Sequence, residues 1–300
     1  MFEAVPASFR RHILAEGPVW VDATSTVMWI DVEAGSVFEG RLERERIEES
    51  WKLDFDGRVG AAVPSADGSI LVATSDRLVV VSPGGGRRDG PVIVPSGVRS
   101  RTNDGGCDPA GRFLVGTMAL DDREGEESLY RVEDDGSLTI IDSNLTLSNG
   151  LGWSPDGCLL YNTDTKAGVI WVRDYDAATG ASGARREHLR LDSEYPDGLC
   201  VDSRGYLWIA VWGAGEVRSY SPSGDLAARV TVPCPHPSSV AFVGNDLDIL
   251  LITTASRDLS ERQVVQYPDA GRLFLARVGA TGTRTFPWSG SWRDVTTGEQ

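Results

Sequence analysis

Six residues stand at nearly regular intervals along this chain: Glu16, Gly60, Asn103, Asn149, Asp197 and Ser238. They are 44, 43, 46, 48 and 41 positions apart. Two are carboxylates and two are carboxamides. Any one Asn-Gly or Asp-Gly pair could be a plain turn. Four oxygen donors at equivalent places in a repeat raise a different chemistry. If the repeat brings them onto one axis, they are costly when dry and unpaired, and a cation relieves that cost. Carboxylate and amide oxygens are hard ligands, suited to Ca²⁺, Mg²⁺ or Mn²⁺. Zn²⁺ or Fe²⁺ on oxygen ligands is also open. A histidine-rich zinc site is not expected, because the only histidines are His12, His188 and His236, and none falls in the series.

The elements that must position these residues repeat with them. The units are "EGPVWVDATSTVMWID" from Glu16, "GAAVPSADGSILVAT" from Gly60, "NDGGCDPAGRFLVGT" from Asn103 and "NGLGWSPDGCLLYNT" from Asn149. "DGLCVDSRGYLWIAV" from Asp197 and a weaker "SSVAFVGNDLDILLIT" from Ser238 complete the set. Each is a short strand, a turn and a second apolar strand. In the middle four a glycine closes the turn at one offset, as Gly68, Gly111, Gly157 and Gly205. Units of this length fit four-stranded blades, and six of them nearly fill the chain. The expected fold is all-β: a six-bladed β-propeller with a metal site in the central channel, as a single domain over 1–300. The first strand of each blade is innermost, so the residue just before it faces the axis. Ring closure requires the termini to share a blade, and the segment before Glu16, with "SFRRHIL", is expected to add a strand to the last one.

Composition narrows the partners. A net charge of −15 argues against nucleic acid or an anionic membrane. No apolar run approaches the ~18 residues of a membrane span. The N-terminal "MFEAVPASFRRHILAEG" lacks an apolar stretch of signal-peptide length, so a cytoplasmic protein is expected. No obligate protein partner is evident. Cys107, Cys158, Cys200 and Cys234 show no close pairing and read as small buried apolar residues.

Several stretches together resemble the gluconolactonase family, which includes regucalcin (the senescence marker protein) and luciferin-regenerating enzyme. They are "AEGPVW" at Ala15–Trp20, "SRTNDGGCDPAGRFLVGTM" at Ser100–Met118, "SNGLGWSPDG" from Ser148, "YPDGLCVDSRGYLWIAVWG" at Tyr195–Gly213 and "YPDAGRLFLARV" near the C-terminus. The resemblance covers nearly the whole chain, in order. It implies one divalent ion held by Glu16, Asn149 and Asp197, three of the four donors in the repeat. It implies substrate contacts from Arg101 and Asn103, and makes Asp121 in "GTMALDD" the candidate for a third. The implied reaction is hydrolysis of a sugar lactone to its aldonic acid, with Asp197 as both ligand and base and Arg101 on the lactone carbonyl or a hydroxyl. Two alternatives stay open: a non-catalytic calcium-binding regulatory protein, and a hydrolase of another ester on the same propeller. Trp212 and Trp20 are candidates for a pocket wall, although packing is the commoner role. Asp104, Asp164 and Asp202 read as turn and blade-to-blade hydrogen-bonding residues, and "DDREGEES" at Asp121–Ser128 as a solvated loop.

Overall fold

The computed structural model describes residues 1–121 and 123–290. The C-terminal end of the expected 1–300 domain, residues 291–300, lies outside the described residues, as does Asp122 of the solvated loop. The chain forms six antiparallel four-stranded blades arranged as a propeller. Blade 1 comprises Ala15–Val21, Thr26–Asp31, Ser36–Glu43 and Arg46–Asp54. Blade 2 comprises Val59–Pro64, Ile70–Thr74, Arg77–Val81 and Arg87–Val92. Blade 3 runs Ser100–Cys107, Phe113–Ala119, Glu127–Val132, Leu138–Leu145. Blade 4 runs Ser148–Trp153, Leu159–Asp164, Val169–Asp174, Arg186–Arg190. Blade 5 holds Tyr195–Val201, Leu207–Trp212, Glu216–Tyr220 and Leu226–Thr231. Blade 6 holds Pro237–Val243, Ile249–Thr254 and Phe274–Ala276. One short helix, Glu261–Gln266, interrupts blade 6.

Each first strand touches the first strands of the blades before and after it, which makes it the inner strand of the ring. Middle strands such as Thr26–Asp31 and Ile249–Thr254 are buried along their whole length, because neighbouring blades cover both faces. That is why they read as continuous apolar runs rather than alternating ones. Outer strands such as Arg46–Asp54 are mostly exposed and charged. The turn glycines Gly68, Gly111, Gly157 and Gly205 all take the left-handed conformation, with φ between 71° and 83°. That equivalence confirms the repeat at the level of backbone angles.

The N-terminus closes the ring, one step earlier in the chain than expected. Val5–Pro6 pairs with Phe274–Ala276 as the fourth strand of blade 6. Within "SFRRHIL" only Leu14 makes a bridge, to Ala255. Pro6 has no N–H to donate, which suits an outermost strand. Phe2–Glu3 adds a parallel fifth strand to blade 5, beside Leu226–Thr231. The cysteines also differ from expectation at one place. Cys107 and Cys234 are buried and Cys200 is partly so, but Cys158 is exposed, on the turn that Gly157 closes. Among the described residues no helix is long and apolar enough to cross a membrane.

Candidate metal and substrate site

The six repeat residues lie inside the inner strands rather than just before them. In every blade the ladder between first and second strands slips at or beside that residue. The slips fall between Glu16 and Val19, Val59 and Ala61, Thr102 and Gly105. The other three fall between Asn149 and Leu151, Pro196 and Leu199, and Pro237 and Ser239. A bulge interrupts the strict alternation of a strand and re-aims a side chain. The donors are thus set by backbone irregularity repeated around the ring. The glycines after Asn149 and Asp197 have their own cause. A Cβ on Gly150 would stand 2.6 Å from the Asp197 carbonyl oxygen, and one on Gly198 would stand 2.1 Å from Ser239 Oγ. Asn149-Gly150 and Asp197-Gly198 are therefore a donor followed by a close approach of the next inner strand. Neither pair is a hairpin turn. At the sixth place Ser238 donates to the Ala15 carbonyl at 2.6 Å, so it ties blade 6 to blade 1.

A directional chain of hydrogen bonds orients the two amides. Arg101 Nη1, which can only donate, reaches Asn103 Oδ1 at 2.9 Å and the Thr102 carbonyl at 2.7 Å. Asn103 Nδ2 donates to the Ser148 carbonyl at 2.9 Å, a group that can only accept. The Asn103 amide is therefore fixed at both ends. The same Nδ2 donates to Asn149 Oδ1 at 3.1 Å, while Asn149 Nδ2 donates to Thr165 Oγ1 at 3.0 Å. Arg101, Asn103 and Asn149 are all buried. Asn103 thus positions the oxygen end of Asn149.

The carboxylates are left differently. Asp197 is only 6% exposed, and its Oδ1 has no hydrogen-bond partner among the described residues. Glu16 is partly buried, and Oε2 accepts from its own neighbour, Gly17 N, at 3.2 Å. Burial pushes both carboxyls well above the usual carboxylate range. For Glu16 the negative fields of Asp197 and Asp104 add to this, and for Asp197 that of Asp104, while Arg101 opposes both. Asp104 is itself pushed up to about 6 by burial. Burial and neighbouring arginines lower the Arg101 guanidinium to about 10, still charged at neutral pH. An orphaned buried carboxylate oxygen beside a second strained carboxylate is what a hard divalent cation satisfies. Glu16, Asp197 and the oriented Asn149 oxygen fit such an ion by donor chemistry. No three His, Cys, Asp or Glu side chains are grouped to hold a metal among the described residues, and the third donor here is a carboxamide.

These residues line one cavity of about 340 Å³ at the open end of the channel. It brings together Glu16, Arg101, Asn103, Asn149 and Asp197. Asp121 is not among its lining residues. It lies in a separate depression on blade 3, paired with Arg123 at 2.7 Å. Of the two tryptophans, Trp212 lines the cavity and Trp20 is buried in the core cluster that joins blades 1, 5 and 6. Asp164 and Asp202 cap backbone N–H groups as expected. Asp104 differs: it faces the channel cavity, accepting from Gly105 N at 2.8 Å. Sequence reasoning also missed Lys166, Tyr195 and Arg257, which line the mouth. Arg257 is ion-paired there with Glu33 and Asp258.

Comparison with known proteins bears on the family and the fold. A family model described as the SMP-30/Gluconolactonase/LRE-like region matches residues 14–256. A pentonolactonase of Haloferax volcanii is 35% identical over 279 residues, covering 91% of this chain and 94% of that protein. A 6-deoxy-6-sulfogluconolactonase of Pseudomonas putida is 31% identical over 274 residues, covering 90% and 93%. The crystal structure of a calcium-binding protein, regucalcin, from Agrobacterium tumefaciens superimposes with a TM-score of 0.87 at 26% identity, covering 95% and 99%.

Proposed function

The chain belongs to the SMP-30/gluconolactonase/LRE-like family, and from that footing we propose that it hydrolyses a sugar lactone to the aldonic acid with one divalent metal ion. Glu16, Asn149 and Asp197 would hold the ion. The observation that carries this reading is the unpartnered, buried Oδ1 of Asp197, set in the same cavity as Glu16 and Arg101. Relatives named as lactonases support the reaction class, a carboxylic-ester hydrolysis.

The bound ion would supply positive charge for the lactone carbonyl and acidify water. Asp197 takes the proton from the attacking water at a carboxylate oxygen; a bound dication would lower the basicity of that carboxylate and acidify the water, and the two effects partly offset. Arg101 donates to the lactone carbonyl or a hydroxyl through N–H groups other than those on Nη1, which Thr102 and Asn103 already occupy. Asn103 holds Asn149 in place and offers its oxygen side to substrate hydroxyls. The protein's acidic surface is no obstacle, because the substrate is neutral until its ring opens.

The deciding experiment is turnover of a panel of aldonolactones before and after chelation, with Ca²⁺, Mg²⁺, Mn²⁺, Zn²⁺ and Fe²⁺ returned singly. Spontaneous hydrolysis is subtracted. Turnover that chelation removes and one of these ions restores is the expected result. Tight ion binding with no lactone turned over would favour a calcium-binding role, the description carried by the Agrobacterium relative. Turnover confined to simple aryl or alkyl esters would move the protein to another ester.

A further inference from the structure

The walls of the open-end cavity differ in chemistry. On blades 3 and 4 it presents Arg101, Asn103, Asn149 and Lys166, beside Met118 and Leu147. On blade 5 it presents Tyr195 and Trp212, which are directly opposite each other in the ladder and so project from the same face of the blade. Trp212 is half-buried, and one face of its indole is covered by His236, with ring centroids 4.3 Å apart and planes 5° from parallel. His236 is buried, and burial holds its imidazole below the usual range, so it stacks as a neutral ring at physiological pH. An indole clamped on one side keeps a fixed orientation, and its accessible remainder borders the cavity it lines. Tyr195 is 52% exposed, an aromatic side chain left in solvent at the mouth. Exposed aromatic surface in a cleft marks a binding surface more often than a packing one.

Spacing links this surface to the reacting centre. Tyr195 and Asp197 are two residues apart on one inner strand, hence about 6–7 Å along it. That distance is comparable to the width of a five- or six-membered sugar ring. A ring whose ester lies at Asp197 and Glu16 would therefore reach back over blade 5.

We propose that Trp212, backed by His236 and flanked by Tyr195, is the specificity-determining platform for the substrate. The apolar C–H face of a cyclic polyol lies on it, with the hydroxyls turned toward Arg101, Asn103 and Lys166. The proposal rests on the lactonase reading for the identity of the reacting group, but not for the platform itself. It selects a compact polyhydroxylated ring over long-chain acyl lactones, which have no second polar side to meet the opposite wall.

The test pairs binding with turnover. Binding of gluconolactam, a ring that cannot be hydrolysed, is measured by calorimetry for the Ca²⁺-loaded wild type, Trp212→Leu, Trp212→Phe and Tyr195→Ala. KM and kcat are measured on the best lactone, and Ca²⁺ affinity and Tm on every variant. Trp212→Leu is expected to weaken lactam binding and raise KM about tenfold or more, the factor equivalent to ~1.4 kcal/mol. Its kcat and Ca²⁺ affinity should stay within about threefold, a change of under ~0.7 kcal/mol. Trp212→Phe should recover part of the loss, and Tyr195→Ala, at an exposed position, should show a smaller KM effect. Unchanged lactam affinity and KM in Trp212→Leu and Tyr195→Ala would overturn the platform while leaving the lactonase reading intact. Equal losses of Ca²⁺ and lactam affinity would also overturn it, because Trp212 would then only support the ring. Trp212-dependent lactam binding without turnover of any lactone would keep the platform and sink the reaction. A wild type that does not bind the lactam would overturn the platform.

Discussion

The two ends of the central channel are built from the same six strands and have opposite chemistry. The open end holds Glu16, Asn149, Asp197 and Arg101 in a cavity of about 340 Å³. The closed end is a smaller cavity of about 140 Å³, walled largely by Val19, Val63, Leu151, Leu199, Val240 and Phe242. The change of character occurs at the bulges. Glu16 precedes the slip on its strand and Val19 follows it, and Asn149 and Leu151 are divided in the same way. Asp104, at the slip in blade 3, lines both cavities. A C-terminal strap then seals the closed end. It bonds in turn to Ser203 of blade 5, Leu247 of blade 6, Trp20 of blade 1, Pro64 of blade 2 and Gly111 of blade 3. The lesson is that one backbone irregularity, repeated six times, lets a single strand serve a polar site and an apolar plug.

The sharpest way to break this contrast is to remove charge from the open end alone. Asp197→Asn keeps the shape of the side chain and one ligating oxygen but cannot take a proton. Lactone turnover should fall by about 10²–10⁴, the usual worth of a positioned base. Ion affinity should weaken only in part, because Glu16 and Asn149 remain. Steady-state kinetics beside calorimetric titration with Ca²⁺ checks both. Near-normal kcat in the variant would place the base elsewhere.

A smaller effect should appear in the pH dependence of stability. Without a cation, Glu16 and Asp197 keep their protons to well above the usual carboxylate range, and Asp104 does so to about 6. Unfolded carboxyls titrate near ~4. Above that pH the folded state binds more protons than the unfolded one, so these groups make stability fall as pH rises through their folded values. Ca²⁺ binds the ionised forms and should reverse the loss. The gain in Tm on adding Ca²⁺ to chelated protein should therefore be larger at pH 8 than at pH 5. A gain independent of pH would mean that the ion binds away from these carboxylates.

Much of this was legible in the sequence, and what was not has identifiable causes. The repeat exposed the blades because each blade must bury its own inner and middle strands, which forces a common apolar pattern. It exposed the donor ring because equivalent places in a closed ring converge. The bulges were hidden. Asn149-Gly150 and Asp197-Gly198 look like turns until the neighbouring strand's approach to Gly150 and Gly198 is known. Asp104 reads as a turn residue in "NDGG", and only the slip between Thr102 and Gly105 shows that it faces the cavity. Lys166, Tyr195 and Arg257 come from three different blades, so no local pattern unites them. Trp20 stands near the end of an inner strand and Trp212 at the end of a second strand, and only the assembled blades show which of the two faces the cavity.

The smallest effect on chemistry should come from the closed end, where the contrast predicts a change in stability alone. Trp288 on the strap is 4% exposed, packs in the core cluster shared by blades 2 and 3, and donates its backbone N–H to the Pro64 carbonyl at 2.8 Å. Replacing a buried large aromatic by alanine costs about 3–5 kcal/mol through lost transfer energy and the cavity left behind. Trp288→Ala should therefore lower the denaturation midpoint by a corresponding amount. Below its new midpoint, KM, kcat and Ca²⁺ affinity should match the wild type, because Trp288 lies outside the open-end cavity and the bulges separate the strap from the donors. Chemical denaturation and kinetics at a temperature well below the shifted midpoint measure the two separately. A rise in KM or a loss of Ca²⁺ affinity in folded Trp288→Ala would mean that strain passes across the bulges. Asp104, the acidic residue common to both cavities, would then be the route to examine.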